Sequence, residues 1–266
     1  MRILVALLAT TSLAHAADLP ERQIPTPLPP APVAIAPNWT GFYIGGHGGW
    51  ATGNFKGDLG YNDPTLPGFS AADIFDPVNQ KVTATGFIAG GQIGFNWQPV
   101  GSPLVFGIEA DASWTNFKGS FVAHGLGAAP DWHISIKLDW FGTVRGRLGY
   151  AVNDAIMLYG TGGLAYGRTS GNIRVVYVAP EDGPGGGEIA RGDATANHFG
   201  WTAGAGLEFM MGRYWSFKAE YLYVDLGEKD HNFVGTQDNT PIVYQTDSFS
   251  PALKFHAFRG GLNFRF

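Results

Sequence analysis

The residues best placed for chemistry are charged ones at alternate positions within apolar stretches: Glu109 and Asp111, Lys137 and Asp139, Arg145 and Arg147, Glu208, Lys218 and Glu220, Arg259 and Arg265. Around them the other phase is apolar, as in Leu104, Phe106, Ile108 and Trp114, or Trp215, Phe217, Tyr221 and Tyr223. A period of two sends successive side chains to opposite faces of a β-strand. One face is therefore apolar, and the other carries acids and bases in comparable number. Gathered in a closed interior, these groups do electrostatic rather than covalent work. They pair as a salt-bridged plug, or they line a narrow polar path for ions. Buried charges are held only when paired and hydrogen-bonded. Spacing leaves both outcomes open, and the balance of sign favours the plug.

Other candidates carry less. His124, His133 and His231 could ligate haem axially, but no spacing marks a pocket, and they read as loop histidines. His133 and Ser135 share a face, yet nucleophilic catalysis also needs an orienting acid. By the phase of the segment the pair points inward, away from lipid, so no enzyme is expected. Arg191-Gly192-Asp193 matches an adhesion triplet too short to be specific. The absence of cysteine excludes disulfides and cysteine-ligated metals. No metal or cofactor is expected. A net charge of −5 leaves no basic footprint for nucleic acid.

The elements that position these residues are strands. Alternation marks eight segments, near 40–51, 81–97, 104–116, 134–150, 156–168, 197–210, 214–225 and 254–266. A tilted strand needs roughly 9–11 residues to cross a bilayer, and each segment suffices. Short connections at 98–103, 151–155 and 211–213 alternate with long ones near 52–80, 117–133, 169–196 and 226–253. The pattern predicts an all-β fold: an eight-stranded antiparallel transmembrane β-barrel with short periplasmic turns and four long external loops. Only 15% of residues are charged, against about 25% for a soluble domain. Glycines within the segments, among them Gly45, Gly49, Gly163 and Gly206, mark close backbone approach in a curved sheet.

Ahead of the barrel, residues 1–16 read as a signal peptide, with Arg2, a short apolar core and Ala14-His15-Ala16 as cleavage site. Residues 17–38, rich in proline, read as a periplasmic linker with scope for a periplasmic contact. Residues 39–266 are expected to form the outer-membrane barrel.

Several motifs carry a family resemblance: Trp39-Thr-Gly-Phe-Tyr-Ile-Gly-Gly, Tyr159-Gly-Thr-Gly-Gly-Leu-Ala-Tyr-Gly, Gly200-Trp-Thr-Ala-Gly-Ala-Gly-Leu-Glu and Lys218-Ala-Glu-Tyr-Leu-Tyr. In combination the chain resembles the small outer-membrane β-barrel proteins of alphaproteobacteria, in the wider group of opacity-protein and outer-membrane-protein-A barrels. The resemblance implies an outer-membrane location, contact with lipid and lipopolysaccharide, and a structural role in envelope integrity. The alternatives within the group are a small-solute porin or a haemin-binding surface receptor. Phe258, Leu262, Phe264 and the terminal Phe266 look like the signal read by the barrel-assembly machinery.

Overall fold

A computed structural model describes residues 38–58, 75–76, 79–126, 130–177, 186–228, 233–237, 240–244 and 252–266. The proposed signal peptide, nearly all of the proline-rich segment and His231 lie outside them.

Among the described residues the strands are β1 (Gly41–Asp58), β2 (Phe75–Asp76), β3 (Asn79–Trp97), β4 (Leu104–Thr115), β5 (Lys118–Gly125) and β6 (Asp131–Ala151). There follow β7 (Ile156–Tyr177), β8 (Gly187–Met210), β9 (Trp215–Asp225), β10 (Phe233–Gln237), β11 (Thr240–Tyr244) and β12 (Ala252–Arg265). Antiparallel pairing runs β1–β3–β4–β6–β7–β8–β9–β12 and returns from β12 to β1. That ring of eight strands leaves no open edge, so outside its bulges the backbone groups of the wall pair within it.

The short connections gather at the end where the ring begins and finishes. Gly101 and Gly212 supply the positive φ of two of them, 74° and 87°. In the third, Asn153 Oδ1 accepts from the Ala155 and Ile156 amides at 2.9 and 2.8 Å. At the other end two of the predicted long connections are largely further strand. Most of 117–133 is β5 and the start of β6, and most of 169–196 continues β7 and β8. The Arg191-Gly192-Asp193 triplet accordingly sits in β8 rather than in a loop. β5 prolongs β4 after a break at 116–117 and pairs with the upper half of β6.

The outer face carries an exposed apolar band. It runs from Phe87 to Trp97, Trp114 to Leu104, Leu158 to Leu164, Phe199 to Phe209 and Trp215 to Phe217, with Phe42, Ile44, Val144, Leu148, Phe258 and Leu262 between. Aromatic rings bracket the band at both ends, as interfacial girdles do. Beyond its upper rim the polarity inverts. There the outward face turns polar, and Ile134, Ile136, Leu138, Phe117, Phe141, Ile173, Leu222, Val224 and Phe255 fill the interior. Phe255 holds that cluster together, its ring 5.6 Å from Phe117 and 5.2 Å from Phe141.

On β6 the expected phase fails above Asp139. The pairing of β6 with β7 slips between Leu138 and Trp140, where a β-bulge inserts one residue. Ile134, Ile136 and Leu138, expected on the lipid face, therefore point inward. Ser135 is exposed and His133 half-buried, so neither takes the inward position expected of them.

Candidate functional site: the interior charge network

The inward residues of the membrane-height section converge on one cluster. Glu109, Asp111, Glu208 and Glu220 are buried together with Arg145, Arg147, Lys218 and Arg259. Four acids meet four bases, so the cluster is neutral overall. Lys218 Nζ lies 2.8 and 2.9 Å from the two oxygens of Glu109. Arg145 bonds Glu109, reaches Asp111 at 2.9 Å and donates to Glu220 at 3.0 Å. Arg259 forks onto Asp111 at 3.1 and 3.0 Å and also bonds Glu220 at 2.6 Å. Arg147 donates to Glu208 at 2.5 Å. Forked guanidinium–carboxylate contacts fix geometry as well as charge.

Neutral donors fill the remaining lone pairs. Tyr43 donates to Glu109 at 2.7 Å, and Tyr159 to Glu220 at 3.0 Å. Thr143 donates to Asp111 at 2.5 Å. Ser216 and Asn263 serve Glu208 at 2.5 and 3.1 Å. The Arg147 guanidinium stacks 3.7 Å from the Tyr159 ring centre, a cation–π contact. A second polar chain links Ser113, His47, Gln92 and Asn263.

Room for these side chains comes from glycine. Cross-strand partners on the inner face are Arg145 and Gly163, Arg259 and Gly49, Glu109 and Gly94, Arg147 and Gly107, Glu220 and Gly206, Lys218 and Gly261. Two of these sites are also covered by aromatic rings. A Cβ on Gly94 would lie 2.3 Å from the Tyr43 ring, and one on Gly206 2.4 Å from the Tyr159 hydroxyl. Such packing of an aromatic over a strand glycine stabilises curved sheets.

Three residues read from sequence as part of this interior set lie elsewhere. Lys137 and Asp139 are on the outer face above the band, 3.5 Å apart, with side chains 51% and 27% exposed. The bulge at Asp139 put them there by reversing the phase of upper β6. Arg265 is inward but at the floor, donating to the Asn38 carbonyl at 3.0 Å with its guanidinium 5.1 Å from the Trp39 ring centre. Conversely, Tyr43, Tyr159, His47, Gln92 and Thr143 belong to the network. For Tyr43 and His47, the alternation of Phe42 and Ile44 against them carried the signal.

At the C-terminus Phe258, Leu262 and Phe266 are exposed. The ring of Phe264 meets Trp215 at 5.2 Å and Phe266 at 5.2 Å.

Residues 3–266 match the family described as outer membrane protein beta-barrel domain. The chain belongs to that family. Relatives within reach of it include the 31 kDa outer-membrane immunogenic protein of Brucella melitensis, 35% identical over 99% of this chain and 97% of the relative. The 22 kDa outer membrane protein of Rhizobium leguminosarum is 31% identical over 76% of this chain and 71% of its own. Among solved structures, the outer membrane protein OprG of Pseudomonas aeruginosa covers 87% of this chain and 99% of its own at 14% identity, with a TM-score of 0.44. This family member is an outer-membrane protein, and its apolar band is in contact with membrane lipid.

Proposed function

We propose that this outer-membrane barrel is a structural component of the envelope whose interior is closed and conducts little or nothing. The observation that carries the reading is the neutral, fully paired cluster of Glu109, Asp111, Arg145, Lys218, Glu220 and Arg259, with every ion-pairing side chain at most 2% exposed. An eight-stranded ring is just wide enough for side chains to fill its interior. A cluster whose charges satisfy one another offers a permeating ion no vacant counter-charge. Above it, the apolar cluster around Phe255 closes the same interior by a different means.

Planar-bilayer recording of the refolded full chain tests the reading. The expected trace stays at baseline, and steady ion-sized openings would overturn it. The envelope role is tested in cells lacking the protein, which should show greater sensitivity to detergent and bile salts. Unchanged sensitivity would leave a closed barrel without that role. The terminal strand supports a part in assembly: Phe258, Leu262 and Phe266 present one apolar edge series that a partner strand can read before the ring closes.

A further inference from the structure

The outward face changes character at one height on the wall from β4 to β8. Below that height lies an apolar groove of about 710 Å³, floored by Ala112 and Gly142 and walled by Trp140, Leu164, Tyr166 and Phe199. Its upper rim is aromatic, with Trp140 and Tyr166 rings 5.3 Å apart and Tyr166 and Phe199 rings 4.6 Å apart. Arg168 stands in register between Trp140 and Asn197, on the rim itself. Two pairs further out along β6, Lys118 sits opposite Lys137. All three cations are exposed.

These cations are poorly neutralised. Among the described residues no carboxylate lies within ion-pair distance of Lys118 or Arg168. Lys137 has only the 3.5 Å contact with Asp139, whose carboxylate also accepts from Ser170. Like charges directly opposite on neighbouring strands destabilise the pair, so the Lys118–Lys137 placement is unfavourable until an anion joins it. Elsewhere at a similar height, Lys254 is matched by Asp225 at 3.1 Å. Among the described residues, Lys118, Lys137 and Arg168 thus gather above the groove with one carboxylate, that of Asp139, between them.

We propose that this wall is a binding site for a phosphorylated glycolipid of the outer leaflet. Its phosphate sits among Lys118, Lys137 and Arg168, and one acyl chain lies in the groove below. The placement selects the occupant. An apolar groove opening to the bilayer core takes hydrocarbon, and a basic cluster just above the aromatic girdle stands at the level of headgroup phosphates. Guanidinium and ammonium groups are the usual phosphate partners. The site makes specific the lipid contact that membrane embedding requires, and it does not depend on whether the interior conducts.

Native mass spectrometry of the refolded full chain in detergent tests the site. The probes are bisphosphorylated lipid A, the same lipid with its phosphates removed, and inorganic phosphate. The wild type should retain the bisphosphorylated lipid at least tenfold more tightly than the dephosphorylated one. A Lys137→Gln/Arg168→Gln double variant should lose that preference, and Ala112→Leu, which fills the groove, should weaken retention with the cations intact. Lys254→Gln should bind as the wild type does. Equal retention of the two lipids, or wild-type binding by the double variant, overturns the proposal. So does competition by inorganic phosphate at lipid-equivalent concentration, which would indicate a bare anion site. The gel shift between unheated and boiled samples confirms that each variant is folded. If the double variant fails it, Arg168→Gln alone carries the test.

Discussion

Glu109 answers to Lys218, Arg145 and Tyr43 at once, so its removal strands more than one partner. Breaking a buried pair by deleting one charge costs about 3–5 kcal/mol, because the survivor is left uncompensated. Glu109→Gln should destabilise the barrel by that order, read as a lower midpoint for urea unfolding in lipid vesicles. Adding Lys218→Met restores a cluster of equal charge and should recover part of the loss. Strict additivity of the two changes would count against direct coupling. The glycines make a second claim at this scale. Gly206→Val collides with Tyr159, which bonds Glu220, so it should also lower the unfolding midpoint. Gly101, in a short turn with nothing near a built Cβ, has no packing to lose, but its φ of 74° strains any other residue. Its substitution should act only through that strain, and less.

At the level of elements, β6 is where the sequence misled. On β4, β8, β9 and β12 the alternation alone assigned the faces, because those strands keep one register across the bilayer. On β6 the bulge at Asp139 consumes a residue, and a period of two carries no sign of it. Lys137 and Asp139 were read as interior for that reason. The apolar filling of the upper interior was hidden for a related one: Trp132, Ile173 and Val175 lie in stretches whose long spacing reads as loop, although they continue strands. Deleting Asp139 should expose the dependence. Without it, Leu138 and Trp140 follow one another opposite Thr169 and Arg168 in plain alternation, so Ile134, Ile136 and Leu138 stay inward together with Arg145 and Arg147, and the deletion variant should keep its heat-shifting band on a gel. Deleting Leu138 with Asp139 changes the phase: either Ile134 and Ile136 turn to water, or Arg145 and Arg147 turn to lipid at roughly 2–4 kcal/mol each, and that variant should give no heat-shifting band. Asp139→Ala keeps the residue count and should fold, losing only the Lys137 and Ser170 contacts. An unfolded single deletion or a folded double deletion would mean that the phase of β6 is not set by the bulge.

Across the whole molecule, the proposed closed interior is sealed twice, by different physics at different heights. The lower seal is ionic and neutral, held by pairs between strands far apart in sequence, such as Arg259 with Asp111 and Lys218 with Glu109. The upper seal is apolar and aromatic, built on Phe117, Phe141 and Phe255. An ion crossing the barrel would meet a charge-satisfied layer and then an apolar one, where an unpaired charge is expensive. Opening one layer should therefore leave the current at baseline. Arg147→Ala loosens the ionic layer at Glu208 but leaves the aromatic layer intact. Phe117→Ala with Phe255→Ala thins the aromatic layer, at about 3–5 kcal/mol for each ring, but leaves the ion pairs. Neither variant should show steady openings in a planar bilayer, whereas their combination should, provided the gel shift shows it folded. Openings from either partial variant would mean that one layer alone seals the barrel. A silent, folded combination would place the barrier in the external hairpins instead.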